Sequence, residues 1–250
     1  EFTLPESYMA CINLNGTELV GPTVMEIDLP SSEYSFEWFD PAGNLAATTA
    51  THVPLMDGIY TAVATNLITG CQASVTTVVD SSSPAEVEAV VTTDFFADEH
   101  IIEVTAVGTG NYEYQLDDGP WQTSNTFIGV SPGYHIVTVR DINGCGIGTD
   151  QALVIDYPRF FTPNGDGYND TWNIEGIQDR PPYENSSIYI FDRYGKLLKH
   201  ITILGNGWDG TYNGKLMPSA DYWFTITLDM LHGEDQTLIK TFKGHFSLKR

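Results

Sequence analysis

The run NGDGYND, residues 164–170, gathers oxygen-bearing side chains and glycines at close spacing. Asn164, Asp166 and Asp170 could offer side-chain oxygens to a hard cation such as Ca2+, and Tyr168 a backbone carbonyl, with the glycines allowing a sharp turn. The run lacks the bidentate Glu that completes an EF-hand loop. Its other reading is a rigid Asx-rich turn whose side chains accept backbone N–H bonds. Two acids in the loop repel an anion and no Lys follows, so a phosphate cradle does not fit. The remaining constellations are sparse. The six histidines are scattered at 52, 100, 135, 200, 232 and 245, and neither HExxH nor GxSxG occurs. With 33 acids, any two carboxylates can fall near each other, so paired carboxylates carry no inference. No catalytic residue is expected, and no cofactor beyond the candidate Ca2+. Trp121, in the turn DDGPWQTS, and Trp38 are candidate platforms for a sugar; a hairpin or core contact is the other reading for Trp121.

The cysteines are Cys11, Cys71 and Cys145, with no CxxC pair, which argues against a thiolate zinc site. The order Cys11, Trp38, Cys71 loosely follows the Cys…Trp…Cys order of immunoglobulin-like sandwiches. A Cys11–Cys71 disulfide is expected from it, in an oxidising or extracellular compartment. Cys145 then reads as a buried thiol, with pairing to a neighbouring repeat as the alternative.

Charge separates the chain into two parts. Residues 1–155 hold 21 acids against one base, Arg140, whereas residues 156–250 hold 12 acids against 10 bases. The net charge of −22 excludes nucleic acid as a partner, because phosphate contacts need basic patches. No apolar run is long enough to cross a membrane as a helix. The opening EFTLPESYMAC reads like the interior of a longer protein or a mature product.

The elements that must position these residues are strands. TVMEIDL (23–29), YSFEWF (34–39), IYTAVAT (59–65) and SVTTVV (74–79) are β-branched or aromatic and bounded by turn residues such as DPAGN and PLMDG. SSSPAE, 81–86, reads as a linker. The grammar then repeats: GIYTAVATNLITGC (58–71) answers PGYHIVTVRDINGC (132–145), and YSFEWF answers YEYQLD (112–117). IYIFDRYG is an alternating strand entering a hairpin turn, and YWFTITL (222–228) is another strand. The expected architecture is all-β: three Ig-like β-sandwich modules in tandem, over 1–83, 84–155 and 156–250.

Two resemblances follow from longer motifs. YEYQLDDGPWQTSNTFIGVSPGYHIVTVRDINGC, 112–145, resembles the repeat of large gliding-motility surface adhesins. FFTPNGDGYNDTWNI (160–174), SIYIFDRYGKLL (187–198), GWDGTYNGKLMPSADYWFTI (207–226) and the ending GHFSLKR (244–250) together resemble the type B C-terminal sorting domain of type IX secretion. That domain is also called the gliding-motility-associated C-terminal domain. The resemblance assigns the sorting motif to Pro163, Asn164, Gly165, Asp166, Gly167, Asn169, Asp170, Trp172, Phe191, Arg193, Gly195, Trp208, Asp209, Gly210, Tyr222, Gly244, Lys249 and Arg250. Asp192 and Tyr194 depart from the family's Asn and Trp, and Ala220-Asp221 replaces the usual Gly before Tyr222. The resemblance implies a non-catalytic, adhesin-like cell-surface protein, outer-membrane associated. Its last domain is the signal for export and surface attachment. The implied partners are the outer-membrane translocon and a β-barrel protein of the PorP/SprF type, besides surface glycans. The rival readings are an exported carbohydrate-binding protein, or an enzyme whose active domain lies upstream.

Overall fold

The computed structural model describes residues 2–15, 23–177, 186–232 and 236–250. Every regular element among them is a strand, and the fold is all-β, built as tandem Ig-like sandwiches. The first seven strands are β1 (Ser7–Cys11), β2 (Met25–Glu26), β3 (Tyr34–Phe39), β4 (Leu45–Ala47), β5 (Thr51–His52), β6 (Gly58–Asn66) and β7 (Gln72–Ser82). They form a five-stranded sheet, order β1-β7-β6-β3-β4, and the pair β2-β5. Alternation sends Phe36, Trp38, Tyr60, Ala62 and Ala64 inward, where they meet Met25 and Ile27. The expected strand over 23–29 pairs regularly only at Met25–Glu26. Ile27 then reaches Ala50 O (2.9 Å), and Leu29 N–H folds back onto Ile27 O (2.9 Å), which ends the ladder.

Six strands follow: β8 (Glu86–Val91), β9 (Ile101–Val107), β10 (Tyr112–Leu116), β11 (Thr126–Ile128), β12 (Gly133–Asp141) and β13 (Ile147–Val154). They make two three-stranded sheets, β10-β12-β13 and β11-β9-β8. The last seven are β14 (Phe160–Phe161), β15 (Ser187–Phe191), β16 (Leu197–Thr202), β17 (Thr211–Tyr212), β18 (Lys215–Leu216), β19 (Ala220–His232) and β20 (Gln236–Leu248). They form a sheet of order β14-β20-β19-β15-β16 and the hairpin β17-β18. The terminal strand β20 thus lies inside its sheet, with β14 parallel on its far side (Phe160↔Ser247, Phe161↔Leu248).

The three strand sets share one device. Near the start of the long central strand, a buried ring bonds a carbonyl four residues upstream. Tyr60 OH donates to Met56 O (3.0 Å), His135 Nε2–H to Ser131 O (2.8 Å) and Tyr222 OH to Pro218 O (2.8 Å). This is the tyrosine corner of Ig-like sandwiches, with a histidine substituting in the second set.

Compact packing divides the chain into two units. One comprises Glu1–Ala89, Glu103–Thr126 and Ile136–Asp150; the other comprises Val90–Ile102, Phe127–His135 and Gln151–Arg250.

Within the first unit the disulfide is Cys11–Cys145, and Cys71 is a free, exposed thiol. The expected Cys11–Cys71 bond is therefore wrong, and the register shows why. β1 runs parallel to β7 with Cys11 opposite Ser82, the last residue of β7, whereas Cys71 precedes its first. Eleven residues of extended chain, roughly 36 Å, separate the two ends. The linker reading of 81–86 also fails. Ser82, Ser83 and Ala85 are buried. Ser83 N–H bonds Thr109 O (2.6 Å), Ser83 Oγ accepts from Thr109 N–H (2.9 Å), and Tyr112 OH donates to Ser83 O (3.2 Å). A small, polar segment is used here because it packs tightly and satisfies its own backbone.

Candidate recognition surface

The second unit is centred on an aromatic core. Trp172 is fully buried, donates its indole N–H to Pro158 O (2.8 Å) and stacks on Phe246 at 3.8 Å. Trp208 is equally buried, donates to Thr211 O (2.8 Å), and meets Phe161 and Tyr222 at 5.6 and 4.9 Å. The two tryptophans also exchange backbone bonds, Trp172 N–H to Trp208 O (2.9 Å) and the reverse (2.8 Å). Two motif tryptophans distant in sequence thus close the sandwich by one bridge. Trp38 plays the matching core role in the first unit, with its indole N–H on Thr49 O (2.9 Å).

Residues 92–100 contribute to the same core. Phe96 meets Tyr157, Phe224 and Phe242 edge-on at 5.2, 6.0 and 5.2 Å, and Phe95 meets Phe242 at 5.3 Å. Phe96 has φ +64°, which a bulky residue rarely adopts, so surrounding packing must hold it there. The Arg159 guanidinium fastens this loop through Phe96 O and Ala97 O, both at 3.1 Å, and sits 4.0 Å over the Tyr157 ring.

The NGDGYND loop folds as an Asx turn. Asp170 Oδ1 accepts N–H bonds from Asn164 (2.9 Å) and Gly165 (2.6 Å), and Oδ2 accepts from Gly167 (2.8 Å). Asp166 accepts from Tyr168 N–H (2.8 Å) and Asn164 Nδ2 (2.8 Å), while Asn164 Oδ1 accepts from Asp166 N–H (3.0 Å). Gly165, Gly167 and Asn169 carry the positive φ that the turn needs. The N–H groups of Gly165 and Gly167, with that of Asn164, hold the Asp170 carboxyl below its usual range. Each carboxylate oxygen proposed as a cation ligand thus already accepts an N–H bond. The donor set, as arranged, fits a turn better than a Ca2+ cage.

Several motif residues prove structural. Asp209 Oδ1 accepts from Thr211 N–H (3.0 Å). A Cβ on Gly210 would stand 2.7 Å from Leu248 Cδ1, and one on Gly244 would stand 2.5 Å from the Phe224 ring. The Arg250 guanidinium donates to Met217 O (2.9 Å) and Gly210 O (3.1 Å), so the basic end is pinned to the fold. Lys249 Nζ lies 4.2 Å over the Phe160 ring. At the β15–β16 hairpin, Asp192 Oδ1 accepts from Tyr194 N–H (2.9 Å) and Lys196 N–H (3.0 Å), and Gly195 turns with φ +79°.

Phe191 and Arg193 serve the surface instead. With Trp223, Lys243 and His245 they line a cleft of about 570 Å³ on the outward side of the sheet. Sequence reasoning missed Trp223, although its place in YWFTITL, out of phase with the inward Tyr222 and Phe224, was a sufficient signal.

Neither expected sugar platform is open in that form. Trp38 is buried, and Arg140 sits 4.1 Å over the Trp121 ring while bonding Glu113 at 2.6 Å. The one base of residues 1–155 is thus spent on a cross-strand pair.

Residues 155–247 match the CHU_C type IX secretion signal domain. That domain implies export to the cell surface or extracellular space and an encounter with the type IX secretion machinery. No curated protein matches the chain. Similar solved structures include a three-Ig structure of titin in an E-to-A mutated variant, at 11% identity and TM-score 0.39, covering all of this chain and 98% of that one. Sidekick-1 immunoglobulin domains 1–5 follow at 13% identity and TM-score 0.38, covering 99% and 59%. The three N-terminal domains of the bacteriophage RB49 highly immunogenic outer capsid protein reach 12% identity and TM-score 0.35, covering 100% and 99%.

Proposed function

We propose that residues 156–250 are an address for type IX export and surface attachment, carried behind two stalk or adhesin modules over 1–83 and 84–155. The reading is non-catalytic. Its partners are the outer-membrane translocon and a barrel protein of the PorP/SprF type. The observation that carries it is the family match over 155–247, which coincides with the aromatic core built on Trp172, Trp208 and Tyr222. The strongly acidic residues 1–155 support the stalk role, since like charges keep such modules solvated and apart. The NGDGYND loop acts in this reading as a rigid turn, independent of calcium.

The test is a fusion of an inert carrier with an export leader, made in a type IX-competent cell that holds the matching barrel partner. Two fusions are compared, one starting at residue 84 and one at 156. Surface protease accessibility is expected for the longer one. The shorter one lacks Phe95 and Phe96, so it is expected to be less stable and to reach the surface in lower yield. Retention of both in the periplasm would defeat the sorting assignment.

A further inference from the structure

The outward face of the β14-β20-β19-β15-β16 sheet differs from its counterpart in the first sandwich. Tyr60 and Tyr222 occupy the same corner, so Thr61 and Trp223 are equivalent positions. In the first sandwich one cross-strand row reads Phe39–Thr61–Thr76 and the next reads Glu37–Val63–Ser74. In the second unit the same rows read Phe191–Trp223–His245 and Tyr189–Thr225–Lys243. Outward positions answer to the fold only through cross-strand pairs, here Tyr189 stacked on His200 and Trp223 beside His245. Trp223 and Tyr189 are 42% and 40% exposed.

This face carries charges of both signs, with Asp192 lining the same cleft as Arg193 and Lys243. Asp192 is held by two backbone N–H groups, and Asp221 accepts the Ser247 hydroxyl at 2.6 Å. Arg193 and Lys243 are exposed at the cleft and pair with no described carboxylate.

We propose that this face docks an acidic segment of a protein partner, with carboxylates at Arg193 and Lys243 and an apolar side chain against Trp223 and Phe191. Tryptophan, tyrosine and arginine are the residues that dominate protein interfaces, and opposite charge sets the register. The proposal rests on the sorting reading and locates its recognition surface.

The test uses the full chain behind an export leader in the same cell. Trp223→Thr, which installs the residue of the first sandwich, and the pair Arg193→Glu with Lys243→Glu are compared with the parent. Lys215→Glu, at another exposed site, is the control. Surface-exposed protein is expected to fall about tenfold or more in the first two and to stay unchanged in the control. Melting temperatures within about 2 °C of the parent would show that the fold is intact. Variants exported as well as the parent overturn the docking face. A parent that is not exported overturns the sorting reading itself, and this proposal with it. The purified chain is also titrated with polygalacturonate and sedimented to equilibrium. No fluorescence response and a monomer are expected. A Trp223-dependent response to the polysaccharide overturns the protein partner in favour of a glycan. A Trp223-dependent dimer overturns it in favour of a second copy.

Discussion

The first sandwich and the sheet that ends in β20 are two versions of one plan. Each runs a long strand away from a ring–carbonyl corner, pairs it on both sides, and adds a parallel strand at the sheet's end: β1 on β7, and β14 on β20. They differ in what fills the inside and what decorates the outside. The first packs Trp38, Phe2, Phe36 and Tyr60 among alanines and small aliphatics, whereas the second interlocks Trp172, Trp208, Phe161, Phe224, Phe246 and Tyr222. On the outward rows both keep a Phe, and Trp223, His245, Tyr189 and Lys243 of the second stand where the first has Thr61, Thr76, Glu37 and Ser74. The lesson is that corner and register preserve the sandwich, while the outward positions are free to acquire a task.

The most destructive way to test this comparison is to remove the covalent link that only the first unit has. Closing the 134-residue loop between Cys11 and Cys145 stabilises by about 5 kcal/mol on the chain-entropy estimate. Cys11→Ser is expected to lower the melting temperature of the first unit by many degrees, whereas Cys71→Ser leaves it unchanged. Non-reducing peptide mass spectrometry should find the free thiol on Cys71, and a Cys11–Cys71 peptide would reverse the assignment.

Next in size are the cores. Trp172→Ala and Trp38→Ala should each cost about 3–5 kcal/mol in chemical denaturation. Trp172→Ala should act mainly on the second unit's transition, because it also strips the stack on Phe246. A single shared transition would mean the two units unfold together.

The corners allow a finer comparison. Tyr60→Phe and Tyr222→Phe each remove one O–H donor from a carbonyl, and each should cost about 1 kcal/mol. A cost at one corner only would break the equivalence on which the row alignment rests.

The smallest expected effect lies in the 164–170 turn. Asp170 is held below its usual carboxyl range, so its contribution is fully present above the unfolded value near ~3.9 and is lost as pH falls through the folded one. Asp170→Asn should therefore lower the melting temperature slightly at neutral pH and flatten its acid limb. Chelator should leave the parent's melting temperature unchanged; a clear fall would restore the calcium reading.

Much of this was legible from residues alone. Two-residue alternation in YSFEWF and in YWFTITL determined both strands, because a pleated strand sends alternate side chains to opposite faces. The repeat of Gly-aromatic-strand grammar at residues 58 and 133 pointed to two related strands, while the spacing of Asn164, Asp166 and Asp170 left a calcium loop and an Asx turn both open. The tertiary structure decided the rest, where pairing direction matters. Parallel pairing of β1 with β7 carried Cys11 to the far end from Cys71 and brought it to Cys145. Burial of Ser82 and Ser83 turned an apparent linker into packed backbone. The row that joins Phe191, Trp223 and His245 exists only because β15, more than thirty residues upstream, lies in register with the consecutive strands β19 and β20, which no local pattern encodes.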